Sequence, residues 1–186
     1  MAMTAPDETT DCVPLCVDLD GTLIATDLLW VSLRQILRRA PWLILKIPFW
    51  WHQGRGFLKA ELARRAQLDY ARLPYRGDVL AFLRAARAQG RRLVLVTGSH
   101  ENYARELAAE LGLFEDVLAT TAALNVTGRR KAALLVERYG LRGFDYIGNS
   151  RVDLPVWAAA RRALVAHAPG WVRSRARAQG NVEREW

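Results

Sequence analysis

Cysteine is scarce in this chain, with two residues among 186, Cys12 and Cys16, close together at the entry to an apolar segment. Two such thiols do not make a disulfide scaffold, and they read as small buried residues of a reduced, cytoplasmic protein. Long apolar runs are also missing. The nearest candidate, Pro41–Trp51, falls well short of the roughly 20 residues that span a bilayer, and Lys46 and Pro48 interrupt it. The opening MAMTAPDETTDC is polar and acidic, without the apolar stretch of a secretory signal, and residues 1–12 are expected to be disordered. Acids are in deficit too, 19 against 27 basic residues. An anionic partner is therefore expected.

What is present is the composition of one globular domain, 51% hydrophobic and 25% charged. The net charge of +8 is unevenly spread. Residues 1–23 carry five acids and no base, 24–75 nine bases and three acids, 76–160 twelve and nine, and 161–186 six and two. The excess thus sits mainly in an early segment and near the C-terminal end. No zinc pattern, basic helix or ribonucleoprotein aromatic signature accompanies it, so nucleic acid is not the expected partner.

Short apolar runs recur between segments of helical period. They are Pro14–Asp18, Arg92–Thr97, Asp116–Ala119, Phe144–Gly148 and Ala163–His167, with helical patterns over Tyr75–Gln89, His100–Leu111, Arg129–Tyr139 and Arg151–Arg162. The alternation predicts an α/β protein: a Rossmann-like, three-layer parallel sheet of about five strands. The core is expected over residues 13–23 and 76–170, with 171–186 as a basic tail or linker. Between Ile24 and Tyr75 lies too much helical sequence for a loop, so residues 24–75 are expected to form a small helical cap inserted after the first strand, over the carboxyl ends of the sheet.

Trp30, Trp42, Trp50 and Trp51 all fall in this insert. Two readings stay open for them. Either they lie at a membrane interface with Arg34, Arg38, Arg39, Lys46 and Arg55 facing anionic lipid, or they pack the cap's own core.

The strand ends carry the chemistry. The first is followed by Asp18-Leu19-Asp20-Gly21-Thr22, the second by Thr97-Gly98-Ser99 and the fourth by Asn149-Ser150-Arg151-Val152-Asp153, while Lys131 lies one turn into the preceding helix. In a doubly wound sheet these converge on one crevice. Asp18, Asp20, Asn149 and Asp153 are oxygen ligands suited to Mg²⁺, whose remaining shell suits a phosphoryl group. Asp18 can attack phosphorus to form an aspartyl-phosphate, and Asp20 can serve as acid and then base. Thr97 and the amides after it can hold a phosphate oxygen, and Lys131 can neutralise developing charge. Gly21, Thr22, Gly98 and Ser99 are expected to bind substrate. Asp27 and His100 are polar residues at helix starts that could also reach the cleft.

Asp18-Leu19-Asp20-Gly21-Thr22, Thr97, Lys131 and Gly148-Asn149-Ser150 with Asp153 resemble, in order, the four motifs of the haloacid dehalogenase (HAD) superfamily. The helical insert is similar to the cap of its phosphoserine-phosphatase-like branch. The resemblance implies a Mg²⁺-dependent phosphomonoesterase. Asn149 departs from the pattern, since an Asp that ligates the metal usually opens the fourth motif. A narrower resemblance runs through PLCVDLDGTLIATDLLW, RKAALLVERYG, FDYIGNSRVDLPVW and QGNVERE. These are similar to the HAD-type domain that precedes UbiA-like polyprenyl transferases, a group in which such an Asn looks typical. It implies a phosphorylated small molecule or lipid-linked substrate, with an anionic membrane surface or a membrane prenyl transferase as partner and a place at the cytoplasmic face of the membrane. The alternative it implies is a catalytically weakened regulatory or docking domain of such a transferase.

Overall fold

The computed structural model describes residues 13–66, 68–121 and 124–186. The expected disorder of residues 1–12, and Cys12 with it, lies outside the described residues.

Six strands form one sheet: β1 (Leu15–Val17), β2 (Leu93–His100), β3 (Asp116–Thr120), β4 (Asp145–Gly148), β5 (Ala163–Val165) and β6 (Val182–Glu185). Their order is β3-β2-β1-β4-β5-β6 and every pairing is parallel. The helices are α1 (Leu28–Arg39), α2 (Ile47–His52), α3 (Arg55–Arg65), α4 (Gly77–Ala88), α5 (Glu101–Leu111), α6 (Gly128–Tyr139), α7 (Leu154–Ala159) and α8 (Gly170–Arg177).

Strand periodicity divides the core into two layers. Leu15, Val17, Leu93, Leu95, Ile147 and Leu164 point to one face, where they meet Val79 and Leu83 of α4 and Tyr103 and Leu107 of α5. Cys16, Val94, Val96, Tyr146, Ala163 and Val165 point to the other, against Leu135 of α6, Trp157 of α7 and Val172 of α8. A parallel sheet covered on both faces requires this double apolar pattern. Cys16 is fully buried, as a small core residue.

Differences from the expected elements have local causes. The helical pattern over Arg151–Arg162 splits into a 3₁₀ turn, Arg151–Asp153, and the shorter α7, because the chain must extend again to enter β5 at Ala163. The sheet has six strands where about five were expected, and residues 171–186 are corrected from tail or linker to folded structure. Beside β5, Val182 of β6 packs against the core while Glu183 pairs with Arg162 and Glu185 with Arg177. Charged side chains of that kind suit an edge strand. Trp186 then packs edge-on against Phe82 of α4, with ring centroids 5.3 Å apart.

The cap occupies the interval after β1. Its entry and exit are stitched together: Ile24 bridges to Tyr75, and the amides of Ala25 and Arg76 donate to the carbonyls of Pro74 and Leu23. Helices α1 to α3 enclose a small core of Ile36, Trp50, Leu58 and Leu62. Trp50 is therefore a core residue, 4% exposed, but Trp30, Trp42 and Trp51 are 62%, 65% and 54% exposed. The core reading accounts for one of the four tryptophans. The side chain of Arg55 lies outside the described residues.

Candidate active site

The strand order reverses direction of growth at β1 and β4, which places the residues after these strands side by side in the crevice at the carboxyl edge. Beyond β1 the chain turns sharply, with the carbonyl of Leu19 accepting from the amides of Thr22, Leu23 and Ile24. Gly21 sits at φ +77°, and a Cβ there would lie 2.2 Å from Nδ2 of Asn149. Glycine is thus required both by the backbone and by the approach of the β4 loop. Arg76 Nε fixes the turn by donating to the Gly21 carbonyl at 2.9 Å.

A cleft of about 270 Å³ opens over this turn. Asp18, Asp20, Gly98, Ser99, Lys131 and Asn149 line it together with Ser150, Thr127 and Gly128. Lys131 Nζ donates to Asp18 Oδ1 at 2.6 Å and to the Tyr146 hydroxyl at 2.8 Å. The Thr22 hydroxyl donates to the other Asp18 oxygen at 3.2 Å. Asp20 accepts from the Leu28 amide at 2.8 Å and from the Ser99 hydroxyl at 2.6 Å. The first of these bonds ties Asp20 to the start of the cap.

Of the predicted site residues, Gly21 and Thr22 form the turn beneath the cleft without lining it, Thr22 fully buried with its hydroxyl on Asp18, and Thr97 and Asp153 stand behind the wall. Thr97 is fully buried, its hydroxyl accepting from the Ser99 amide at 2.9 Å and lying 3.5 Å from Asp20. It shapes the Gly98–Ser99 wall, and β2 runs on through it to His100 where the sequence suggested an end. Asp153 is 1% exposed and bonded at both oxygens. Oδ1 accepts from the Tyr146 hydroxyl at 2.8 Å, and Oδ2 from the amides of Asn149 and Ser150 and the Ser150 hydroxyl at 3.0–3.1 Å. It holds the Asn149 loop and anchors Lys131 through Tyr146. His100 caps α5, accepting from the Asn102 amide, and Asp27 caps α1, accepting from the Leu29 amide while also lining the cleft.

Tyr146 is the residue that sequence reasoning missed. In the sequence it is one position of the apolar run Phe144–Gly148. The signal available was a hydroxyl two residues before Gly148 in a strand buried on both faces, where it needs a polar partner. Thr127 and Gly128 were missed as well. They bring the amino end of α6, which favours anions, to the cleft beside Lys131.

Burial dominates the electrostatics. It pushes the Asp18 carboxyl up to about 7, with Asp153 and Asp20 adding to the rise and Lys131 opposing it. Burial also works against the charge on Lys131, but Asp18 and Asp153 outweigh it and hold the ammonium above its ordinary range. The Tyr146 phenol is kept protonated by burial and by the neighbouring carboxylates. Three acids around one ammonium leave the site short of positive charge. No group of three or more His, Cys, Asp or Glu able to hold a metal ion occurs among the described residues. Asp18 and Asp20 with the side-chain amide of Asn149 form a sparser oxygen set facing one polar cleft, and this fits a cation that keeps much of its water.

Comparison with solved structures places the fold. A protein of unknown function from Bordetella pertussis Tohama I superposes with a TM-score of 0.68 at 17% identity, covering 93% of this chain and 98% of that one. A phosphoserine phosphatase, solved as a phospho-aspartyl intermediate analogue, gives 0.60 at 12% identity over 95% and 93%. In sequence, the family model for haloacid dehalogenase-like hydrolases matches residues 15–158, and the chain belongs to that family. An uncharacterized protein of Sinorhizobium fredii, y4nM, is 37% identical over 153 residues. That match takes in 82% of this chain but 30% of the relative, so the chain corresponds to under a third of that protein's length.

Proposed function

We propose that the protein is a Mg²⁺-dependent phosphomonoesterase that works through an aspartyl-phosphate on Asp18. The observation that carries this is the Lys131–Asp18 contact of 2.6 Å on the floor of the cleft, with Asp20 held beside it by Ser99. Asp18 attacks phosphorus as the bond to the leaving oxygen breaks, and Asp20 gives that oxygen its proton. Asp20, now ionised, then takes a proton from water, whose oxygen displaces Asp18 and releases inorganic phosphate. Lys131 and the amino end of α6 face the charge that builds on the phosphoryl oxygens. Asp18, Asp20 and the side-chain amide of Asn149 are the residues that would hold Mg²⁺, which would supply the further positive charge that two acids and a phosphate need. The test is hydrolysis of an aryl phosphate with and without Mg²⁺, comparing the wild type with Asp18→Asn. Turnover that needs both Asp18 and the metal supports the reading, and equal rates in all arms overturn it.

The narrower resemblance points to a substrate at a membrane, prenyl-linked in one form of the reading. The segment Pro41–Lys46 has no buried residue, and Trp42 and Leu45 stand exposed on it near Arg38, Arg39 and Lys46 in sequence. Among the described residues no helix is long and apolar enough to cross a membrane, so contact would be interfacial. Co-sedimentation with phosphatidylglycerol vesicles, lost in high salt, is the expected result. If the hydrolysis test fails, the second reading takes its place: a docking domain beside a prenyl transferase. The Sinorhizobium relative, of which the match takes in 30%, is long enough to carry a further domain beside this one.

A further inference from the structure

We infer that the leaving group of the substrate is apolar, and that Leu29, Trp51 and Leu58 form the wall along which it lies. The identity of the phosphate end rests on the phosphatase reading above, while the groove itself does not. Three cavities share their walls. The catalytic cleft is joined through Asp27, Leu29, Thr127 and Val152 to a second space of about 380 Å³, which Trp51 and Leu58 close from the cap. Leu29, Trp51 and Leu58 are in turn shared with a third space of about 190 Å³, whose remaining lining, including Trp30, Ile47 and Leu62, is apolar throughout. A path therefore runs from the Asp18 carboxylate, past a rim of mixed polarity, to a purely apolar slot in the cap.

Charge on this path rules against the alternative leaving groups. Of the described residues lining the two outer spaces, Asp27 alone is ionisable. An amino-acid or sugar-acid leaving group would bring a carboxylate past Asp27, whose own carboxyl repels it, and no cation lines these spaces among the described residues. An alkyl or aryl chain would instead cover side chains that the fold leaves wet. Trp51 shows this best, because its neighbour Trp50 closes the cap core at 4% exposed while Trp51, on the same helix, is 54% exposed over the groove. The substrate class is accordingly a phosphate monoester of an alcohol with an alkyl or aryl tail.

The test compares ethyl, butyl and octyl phosphate, below micellar concentration, with glycerol phosphate as a polar control. Each methylene that enters the groove raises kcat/KM by about three- to fourfold, so butyl phosphate exceeds ethyl phosphate by about tenfold and glycerol phosphate falls below butyl. Trp51→Ala collapses the octyl-to-ethyl ratio, and Trp51→Phe keeps most of it. A wild-type ratio near one, or a ratio that Trp51→Ala leaves unchanged, overturns the inference. Calorimetry with ethyl- and octylphosphonate separates it from the phosphatase reading. If no ester is hydrolysed but octylphosphonate binds more tightly and Trp51→Ala removes the difference, the groove stands and the phosphatase reading falls. Equal phosphonate affinities overturn the groove whatever the turnover.

Discussion

Replacing Asp18 with Asn should abolish turnover and, in the absence of metal, stabilise the fold. Burial and two neighbouring carboxylates raise the Asp18 carboxyl from 3.8 to about 7, even with Lys131 pulling the other way. A carboxyl held above its unfolded value binds its proton more tightly in the native state, so the folded chain carries the extra proton between those two pH values. Stability must then fall as pH rises through that window and level off above about 7. At about 1.4 kcal/mol for each pH unit, the buried charge costs at most about 4 kcal/mol at pH 8. Asn presents nearly the same shape without the charge, and Lys131 keeps the Tyr146 hydroxyl at 2.8 Å and Asp153 at 3.9 Å. Loss of the Asp18 bond offsets part of the gain, leaving about 2–3 kcal/mol in favour of Asp18→Asn at pH 8. Urea unfolding of both proteins in EDTA, from pH 4.5 to 8.5, measures it. The two should converge at the acid end and separate as pH rises. An Asn variant that is less stable at pH 8, or a difference that does not change with pH, would refute the account of Asp18 as a strained, buried charge.

Tyr146→Phe removes the hydroxyl that joins Lys131 to Asp153, and kcat should fall by about tenfold or more while KM changes little, with about 1–2 kcal/mol lost in urea unfolding. Gly21→Ala meets both the positive φ and the Asn149 amide; the expected result is a large loss of activity in a protein whose circular dichroism is unchanged, and full activity would show that the turn is not tied to the Asn149 loop. Asn149→Asp restores one negative charge to the oxygen set, and the Mg²⁺ concentration for half-maximal activity should drop several-fold in a metal titration. Cys16 is fully buried and its thiol pushed up by burial and by Asp145; peptide mapping after iodoacetamide at pH 8 should find it unlabelled until the chain is unfolded.

The sequence exposes those parts of the structure in which one local rule settles the outcome. Alternating apolar runs and helical stretches suffice for β1 to β5 and most of the helices between them, because a sheet covered on both faces is apolar along most of each strand. Asp18 and Asp20 are legible for a different reason, since they follow an apolar strand at the edge where ligands bind, and Lys131, within α6, through its place in the order of the motifs. Tyr146 and Asp153 were not separable in the same way. A tyrosine in a strand reads as bulk, and whether an aspartate faces the cleft or turns back on its own loop depends on a few ångströms of backbone that spacing does not encode. Strand β6 was hidden by its charges, for Val182-Glu183-Arg184-Glu185 gains its partners from Arg162 and Arg177, which the linear pattern keeps well apart.

The cap shows how the same limit bears on function. Hydrophobic period identified it as helical, but period alone cannot divide four tryptophans between a core and a surface. The division follows from how much one small core can hold. Ile36, Leu58 and Leu62 close around a single indole, that of Trp50, and further rings of that size cannot enter without pushing the helices apart. Trp30, Trp42 and Trp51 therefore lie outside that core, each more than half exposed. On a soluble surface each costs the exposure of apolar area that folding did not remove. Two of them, Trp30 and Trp51, line a slot that shares its walls with the space beside the Asp18 cleft, which ties part of the uneven composition of the insert to the chemistry beneath it, since an apolar leaving group seated there would cover surface that the cap leaves open.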